Sequence, residues 1–220
     1  MTKCIAIDTS TRRFCLGVKN SNDYFDMSVN KPTDHAKEIF KRIDDVLKLA
    51  NTSIEELDFL AVGIGPGRFS GLRVSISAIK SISYVLNIPI VAISSLEIIA
   101  RGMMHKNNKE KAILIEDAGR GNLYLGSYAF ENQEFIRLSD DRVVNIDEIE
   151  ISESDSLIAG SGIIRYPDIQ IDSKSLLNQA GEEYVNSSTM IDHALEQFNK
   201  GNTIDCMNLK PNYLFDEVAN

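Results

Sequence analysis

Two short stretches carry the residue types from which a phosphate or nucleotide site is built. The first is Asp8-Thr9-Ser10-Thr11, which closes an apolar run beginning at Lys3. Short hydroxyls and backbone amides suit phosphate oxygens, and a carboxylate suits a hydrated magnesium ion. The same four residues equally suit an Asx or Ser/Thr turn held by its own side chains. The second stretch is Gly65-Pro66-Gly67-Arg68-Phe69-Ser70-Gly71, standing between a short apolar run and a long helical pattern. Backbone N–H groups at a helix N-terminus favour an anion. No Gly-Lys-Ser/Thr closes the loop, however, and it misses the G-x-G-x-x-G spacing by one residue. A partner site, or a turn that needs glycine for steric reasons alone, fits the same spacing.

Other chemistry is thinly represented. None of His35, His105 and His193 has a His or Cys three or four residues on, so no helical metal pair exists; surface or partner contact is expected for each. Arg68 stands where a G-x-S-x-G nucleophile elbow around Ser70 would need its first glycine. No catalytic constellation and no metal site are expected. Cys4, Cys15 and Cys206 are odd in number and form no CxxC. Cys4 and Cys15 fall in strand-like runs and read as buried free thiols, which points to the cytosol. Asp8-Thr9-Ser10-Thr11 sits where actin-like ATPases and sugar kinases place a phosphate-facing turn, although it lacks the usual glycine. Asp8 and Asp117 with the glycine loop therefore define one alternative, an autonomous actin-like ATPase or kinase.

These residues need elements to hold them. At 220 residues, 43% hydrophobic and 25% charged, the chain has ample material for a core. No run is long enough to span a membrane, and because Met-Thr-Lys-Cys leads directly into a strand pattern no signal peptide is expected. Strands are expected at Lys3–Ile7, Arg13–Lys19 and Tyr24–Val29, an antiparallel meander. Pro32-Thr33-Asp34 marks the start of a helix with Ala36, Ile39, Phe40, Ile43, Val46, Leu47 and Ala50 on one face. A strand over Phe59–Ile64 feeds the glycine loop and a helix running to Leu86. That helix has a mostly small face (Gly71, Ser75, Ala78, with Ser81 or Ile82) and an apolar face (Leu72, Ile76, Ile79, Leu86), so it is expected inside a core or an interface. Strand Ile90–Ile93 and a helix capped by Ser94 follow. The second half opens alike: a strand at Ala112–Ile115, the polar turn Glu116–Gly121, then strands Asn122–Phe130 and Glu134–Leu138, which suggests duplication. A short strand at Leu157 and a last helix through Met190 and Phe198 complete it.

Charge is uneven. Residues 1–110 carry 15 Lys/Arg against 12 Asp/Glu, and residues 111–220 carry 8 against 20. Such an acidic second half disfavours independent RNA or DNA binding. The polar stretch Lys106–Lys109 divides the chain into an expected first lobe at 1–105 and a smaller second lobe at 106–204. The tail, 205–220, is expected to pack back on the first.

Five motifs, in order, resemble those of the TsaB (YeaZ) family, bacterial proteins needed for the threonylcarbamoyladenosine modification of tRNA. Ile5-Ala6-Ile7-Asp8-Thr9-Ser10-Thr11 resembles the family's AIDTST start. Gly65-Pro66-Gly67-Arg68-Phe69-Ser70-Gly71-Leu72-Arg73 resembles GPGSFTGLR with Arg68 and Ser70 substituted. Ser94-Ser95-Leu96 matches its SSL. Asp117 through Tyr124 is similar to DAR-x-GE-x-Y with Gly119 inserted or shifted and Asn122 for Glu. Pro211-x-Tyr213-Leu214 is similar to P-x-YLR with Phe215 for Arg. The resemblance implies an α/β chain with the two-lobed actin-like (ASKHA, ribonuclease H-like) fold, mixed sheets flanked by helices. It also implies a cytoplasmic, non-catalytic subunit that supports the TsaD transferase, forms homodimers in isolation, works with the TsaE ATPase and reaches tRNA only through the complex. TsaD carries the metal, on an H-x-x-x-H motif absent here. The implied partner interface comprises His35, Ile39, Ile43, Gly67, Arg68, Phe69, Gly71, Arg73, Ser75 and Ala78. Candidate nucleotide-binding residues are Asp8, Thr9, Ser10, Thr11 and Asp117. No cofactor of its own is implied, with ATP or ADP at the complex interface.

Overall fold

A computed structural model describes residues 2–30, 35–132, 134–152, 156–172 and 181–217. The expected helix start at Pro32-Thr33-Asp34 and the side chain of His35 lie outside the described residues. Strands β1 (Lys3–Asp8), β2 (Arg13–Asn20) and β3 (Asp23–Asp26) form the expected meander, with the two-residue β4 (Val29–Asn30) pairing with β2. Helix α1 (His35–Leu49), β5 (Phe59–Gly63), α2 (Phe69–Leu86), β6 (Ile90–Ile93) and α3 (Ser95–Asn107) follow. The sheet order is β3-β2-β1-β5-β6; β1 is antiparallel to β2 and parallel to β5. Every residue of β5, and all of β1 after Lys3, is buried. Side chains alternate between sheet faces, so both faces are covered.

The helices show why. On α1, Ile39, Ile43, Val46 and Leu47 are buried at helical spacing, whereas Phe40, expected on that face, is 57% exposed. On α2 the expected small and apolar faces merge into one wide buried face of Gly71, Leu72, Ser75, Ile76, Ala78, Ile79, Ile82 and Ser83. Asn87 ends the helix in the left-handed region, its N–H donating to the Ser83 carbonyl.

The second half continues with β7 (Lys111–Gly119), β8 (Asn122–Glu131), β9 (Glu134–Asn145), β10 (Ile151–Ser152), β11 (Leu157–Ala159), α4 (Ser161–Arg165), β12 (Ile171–Asp172) and α5 (Ser187–Asn199). Strand β9 runs past the expected Leu138, because the polar Ser139–Asn145 stretch continues to pair with β8 across irregular registers. The sheet order is β11-β7-β8-β9, with β11 parallel to β7 and the meander antiparallel. A meander with a parallel strand beside its first member is also the plan of β5-β1-β2-β3. The duplication suggested by element order therefore extends to topology.

Two compact units result, with boundaries that correct those expected. The first takes the chain up to Ile98 together with Val185–Asn212; the second takes Ile99–Tyr184 and the chain from Tyr213. The division falls inside α3 rather than at 105/106. Helix α5, expected in the second lobe, belongs to the first: Phe198 stacks on Phe59 of β5 at 4.5 Å, and Ile204 pairs with Ile90 of β6. The tail packs on the first unit only as far as Asn212, whose N–H donates to the Ile64 carbonyl at 2.7 Å. Beyond it, Phe215 meets Tyr124 of β8 edge-on at 5.8 Å.

Candidate functional site

The Asp8 turn and the glycine loop, read separately in the sequence, form one interlocked body. Asp8 ends β1 at 1% exposure. Its Oδ1 accepts from the Ser10 N–H at 2.8 Å and the Ser10 hydroxyl at 2.6 Å, and its Oδ2 accepts from the Ser95 hydroxyl at 2.7 Å. Ser95 Oγ in turn accepts the Gly65 N–H at 3.0 Å. Thr9 donates its hydroxyl to the Gly71 carbonyl at 2.7 Å, and the Arg68 N–H donates to the Ser10 carbonyl at 2.7 Å. A Cβ at Gly71 would lie 1.9 Å from the Thr9 carbonyl oxygen, and one at Gly63 would lie 1.7 Å from Asp8 Oδ2. Gly71 in the loop thus answers to close approach of backbone, and Gly63 at the end of β5 to that of a carboxylate. Burial pushes the Asp8 carboxyl above the usual range, against the opposing hydrogen bonds from Ser10 and Ser95.

This geometry fits a nucleotide poorly. Thr9 and Ser10 are buried with Asp8, and both Asp8 oxygens already accept hydrogen bonds. A carboxylate serving a hydrated magnesium ion must turn an oxygen toward water. Thr11 is half-buried, its hydroxyl accepting the Arg13 N–H at 3.1 Å. Asp117 lies in the second unit, at the end of β7, where its carboxylate accepts the Gly119 N–H at 2.9 Å and sits 3.3 Å from Arg165 Nε.

The expected partner residues separate into two groups. Ile39, Ile43, Gly71, Ser75 and Ala78 are buried in this chain's own core, because the apolar and small stripes of α1 and α2 turn inward, and Gly67 is pressed against Ser10. They support an outward surface and do not form it. Arg68, Phe69 and Arg73 do face outward, and the Arg73 guanidinium lies 3.8 Å from the Phe69 ring centroid. The face continues along α2 through Ser81, which the sequence placed on the small stripe, and through three residues the sequence reading missed: Ser77, Tyr84 (69% exposed) and Val85 (72% exposed). For Tyr84 and Val85 the signal was a large apolar side chain out of step with the buried stripe.

The histidines need one correction. His105 is exposed as expected, but His193 is buried, its Nε2 3.5 Å from Glu97 Oε2 and its Nδ1 3.8 Å from Glu196 Oε2. Cys4 and Cys15 are buried free thiols, and burial pushes Cys4 up to about 12.

A family model described as TsaD, tRNA N6-adenosine threonylcarbamoyltransferase, matches residues 31–175. The chain belongs to that family. Within it, the likeness is to TsaB proteins. The tRNA threonylcarbamoyladenosine biosynthesis protein TsaB of Escherichia coli K12 is 25% identical over 225 residues, covering 99% of this chain and 96% of the relative. The TsaB of Buchnera aphidicola subsp. Schizaphis graminum is 34% identical over 128 residues, 58% of this chain and 61% of the relative. The solved structure of YeaZ from Pseudomonas aeruginosa matches with a TM-score of 0.89 at 23% identity, covering 97% of this chain and all of that one. The resemblance to the TsaB (YeaZ) family and its actin-like, ribonuclease H-like α/β fold are thereby confirmed.

Proposed function

We propose that the chain is a non-catalytic accessory subunit of tRNA threonylcarbamoyladenosine biosynthesis, binding TsaD and supporting transfer of threonylcarbamoyl from its adenylate to tRNA adenosine. The observation that carries this reading is the outward face of α2, where Phe69, Arg73, Tyr84 and Val85 stand exposed on a helix whose other side is locked into the core. Aromatic residues and arginine are the side chains that dominate protein interfaces. The TsaB name of the relatives and the TsaD-type domain of this chain support the pathway.

In isolation the same face pairs two copies of the chain. In the complex it meets TsaD, the TsaE ATPase joins the pair, and tRNA is reached through the assembly in the cytoplasm. Any ATP or ADP belongs to the complex interface, outside the Asp8 turn. The alternative, an autonomous actin-like ATPase or kinase, is disfavoured by the burial of Asp8.

Gel filtration of the chain with TsaD tests the reading. A complex is expected, and Phe69→Ala with Arg73→Ala should weaken it by about 2 kcal/mol, roughly thirtyfold, without lowering Tm. No complex with the wild-type chain, or micromolar Mg-ATP binding with turnover by the chain alone, would overturn it. Charge placed at Ser75 or Ala78 would disturb the fold instead, since both are buried.

A further inference from the structure

We propose that Asp8 is a positioning residue: through Ser10 and Ser95 it fixes the glycine loop so that the first turn of α2 presents Arg68, Phe69 and Arg73 outward. The inference rests on the reading of α2 as a partner-facing helix.

Two arms leave the Asp8 carboxylate. One runs from Oδ1 through the Ser10 N–H and hydroxyl to the Ser10 carbonyl, which accepts the Arg68 N–H at 2.7 Å. The other runs from Oδ2 to the Ser95 hydroxyl, whose oxygen accepts the Gly65 N–H; the Ser95 N–H donates back to the Gly65 carbonyl at 2.9 Å. The carboxylate therefore holds both ends of the loop, Gly65 at its entry and Arg68 at the N-cap of α2. Between them Thr9 clamps the carbonyl of Gly71, in the first turn of α2. Glycine at 63 leaves the space that Oδ2 occupies. A buried carboxylate accepting three hydrogen bonds inside its own fold has the signature of a scaffold, not of a phosphate site.

The replacements that test this differ in which arm they cut. Asp8→Asn keeps the volume and an oxygen toward Ser10, but turns an amide donor on the Ser95 hydroxyl, whose proton loses its acceptor. Ser95→Ala removes the acceptor of the Gly65 N–H and one donor to Asp8. Both belong to one network, so their effects should not add.

The experiment measures backbone amide exchange by NMR in the full chain for wild type, Asp8→Asn, Ser95→Ala and the double variant. Exchange at Gly65 and Arg68 is expected to accelerate about tenfold or more in each single variant, with Leu114 and Leu125 in the second unit unchanged. The double variant should be within about twofold of the faster single. At a temperature where every variant is folded, Kd for TsaD should rise about fivefold or more. If Asp8→Asn fails to fold, Ser95→Ala and Thr9→Val, which frees the Gly71 carbonyl, carry the test. Unchanged exchange at both amides in a folded variant overturns the inference, as does faster exchange with unaltered TsaD affinity. Failure of the wild-type chain to bind TsaD refutes the partner reading instead, and the exchange data then judge the lock alone.

Discussion

What a glycine contributes in this chain depends on what its missing side chain would strike. At Gly71 an added Cβ would meet the Thr9 carbonyl oxygen at 1.9 Å, and that oxygen is backbone, unable to swing aside. At Gly119 the added atom would meet nothing within 4 Å, and only the positive φ of +80° opposes it. Gly71→Ala should therefore cost about 3 kcal/mol or more in urea unfolding, and Gly119→Ala about 1–2 kcal/mol. The reverse order would mean that the loop yields freely and the interlock is loose. Asp8 adds a pH dependence whose sign follows from its raised carboxyl. The native state therefore binds a proton more tightly than the unfolded chain, whose aspartate titrates at about pH 3.9. Stability from this group is present in full below that value and is lost as pH rises through the raised native one. The unfolding free energy of wild type relative to Asp8→Asn should accordingly be greater at pH 4 than at pH 7. A difference that grows with pH would contradict the burial argument.

Elements show where sequence periodicity informs and where it stops. The strand over Ile90–Ile93 and the reach of α2 to Leu86 follow from apolar spacing and from the turn residues that bound it. Periodicity says that a helix has an apolar face, but not which sheet that face covers. Helix α5 lies nearly 100 residues after β6 in the chain and still packs on the first unit, which neither spacing nor composition reveals. The same limit applied to the glycine loop, since a phosphate cradle and a close backbone approach require the same residue type. Helical spacing places Phe40 on the same face of α1 as Ile39 and Ile43, and only packing shows it turned outward. The placement of α5 has a measurable consequence. Phe198→Ala removes the ring stacked on Phe59 and should destabilise the first unit by about 2–4 kcal/mol. Amides of β1 should lose protection at lower urea than in wild type, while those of β8 keep theirs. Equal loss in both units would mean that they unfold as a single cooperative body.

At the scale of the whole molecule, charge decides which partner the chain can meet unaided. The net charge is −9, and the excess of acid lies in residues 111–220, with 20 Asp/Glu against 8 Lys/Arg. Affinity for a nucleic-acid backbone comes largely from cations that displace its counterions, so an acidic chain forfeits most of that gain. Arg68 and Arg73 are exposed near the start of α2, but two guanidiniums are few against this excess, and Arg73 already lies on the Phe69 ring. In a gel-shift titration with unmodified tRNA at about 150 mM salt, the chain alone should bind more weakly than about 100 µM. With TsaD present, the chain should enter the tRNA-bound species, and Phe69→Ala with Arg73→Ala should remove it while TsaD stays bound. That pattern separates a subunit carried to RNA by its partner from one that binds RNA directly. Retention of tRNA by the chain alone, with an affinity falling steeply as salt rises, would identify a basic surface of its own and reverse the assignment of tRNA contact to the partner.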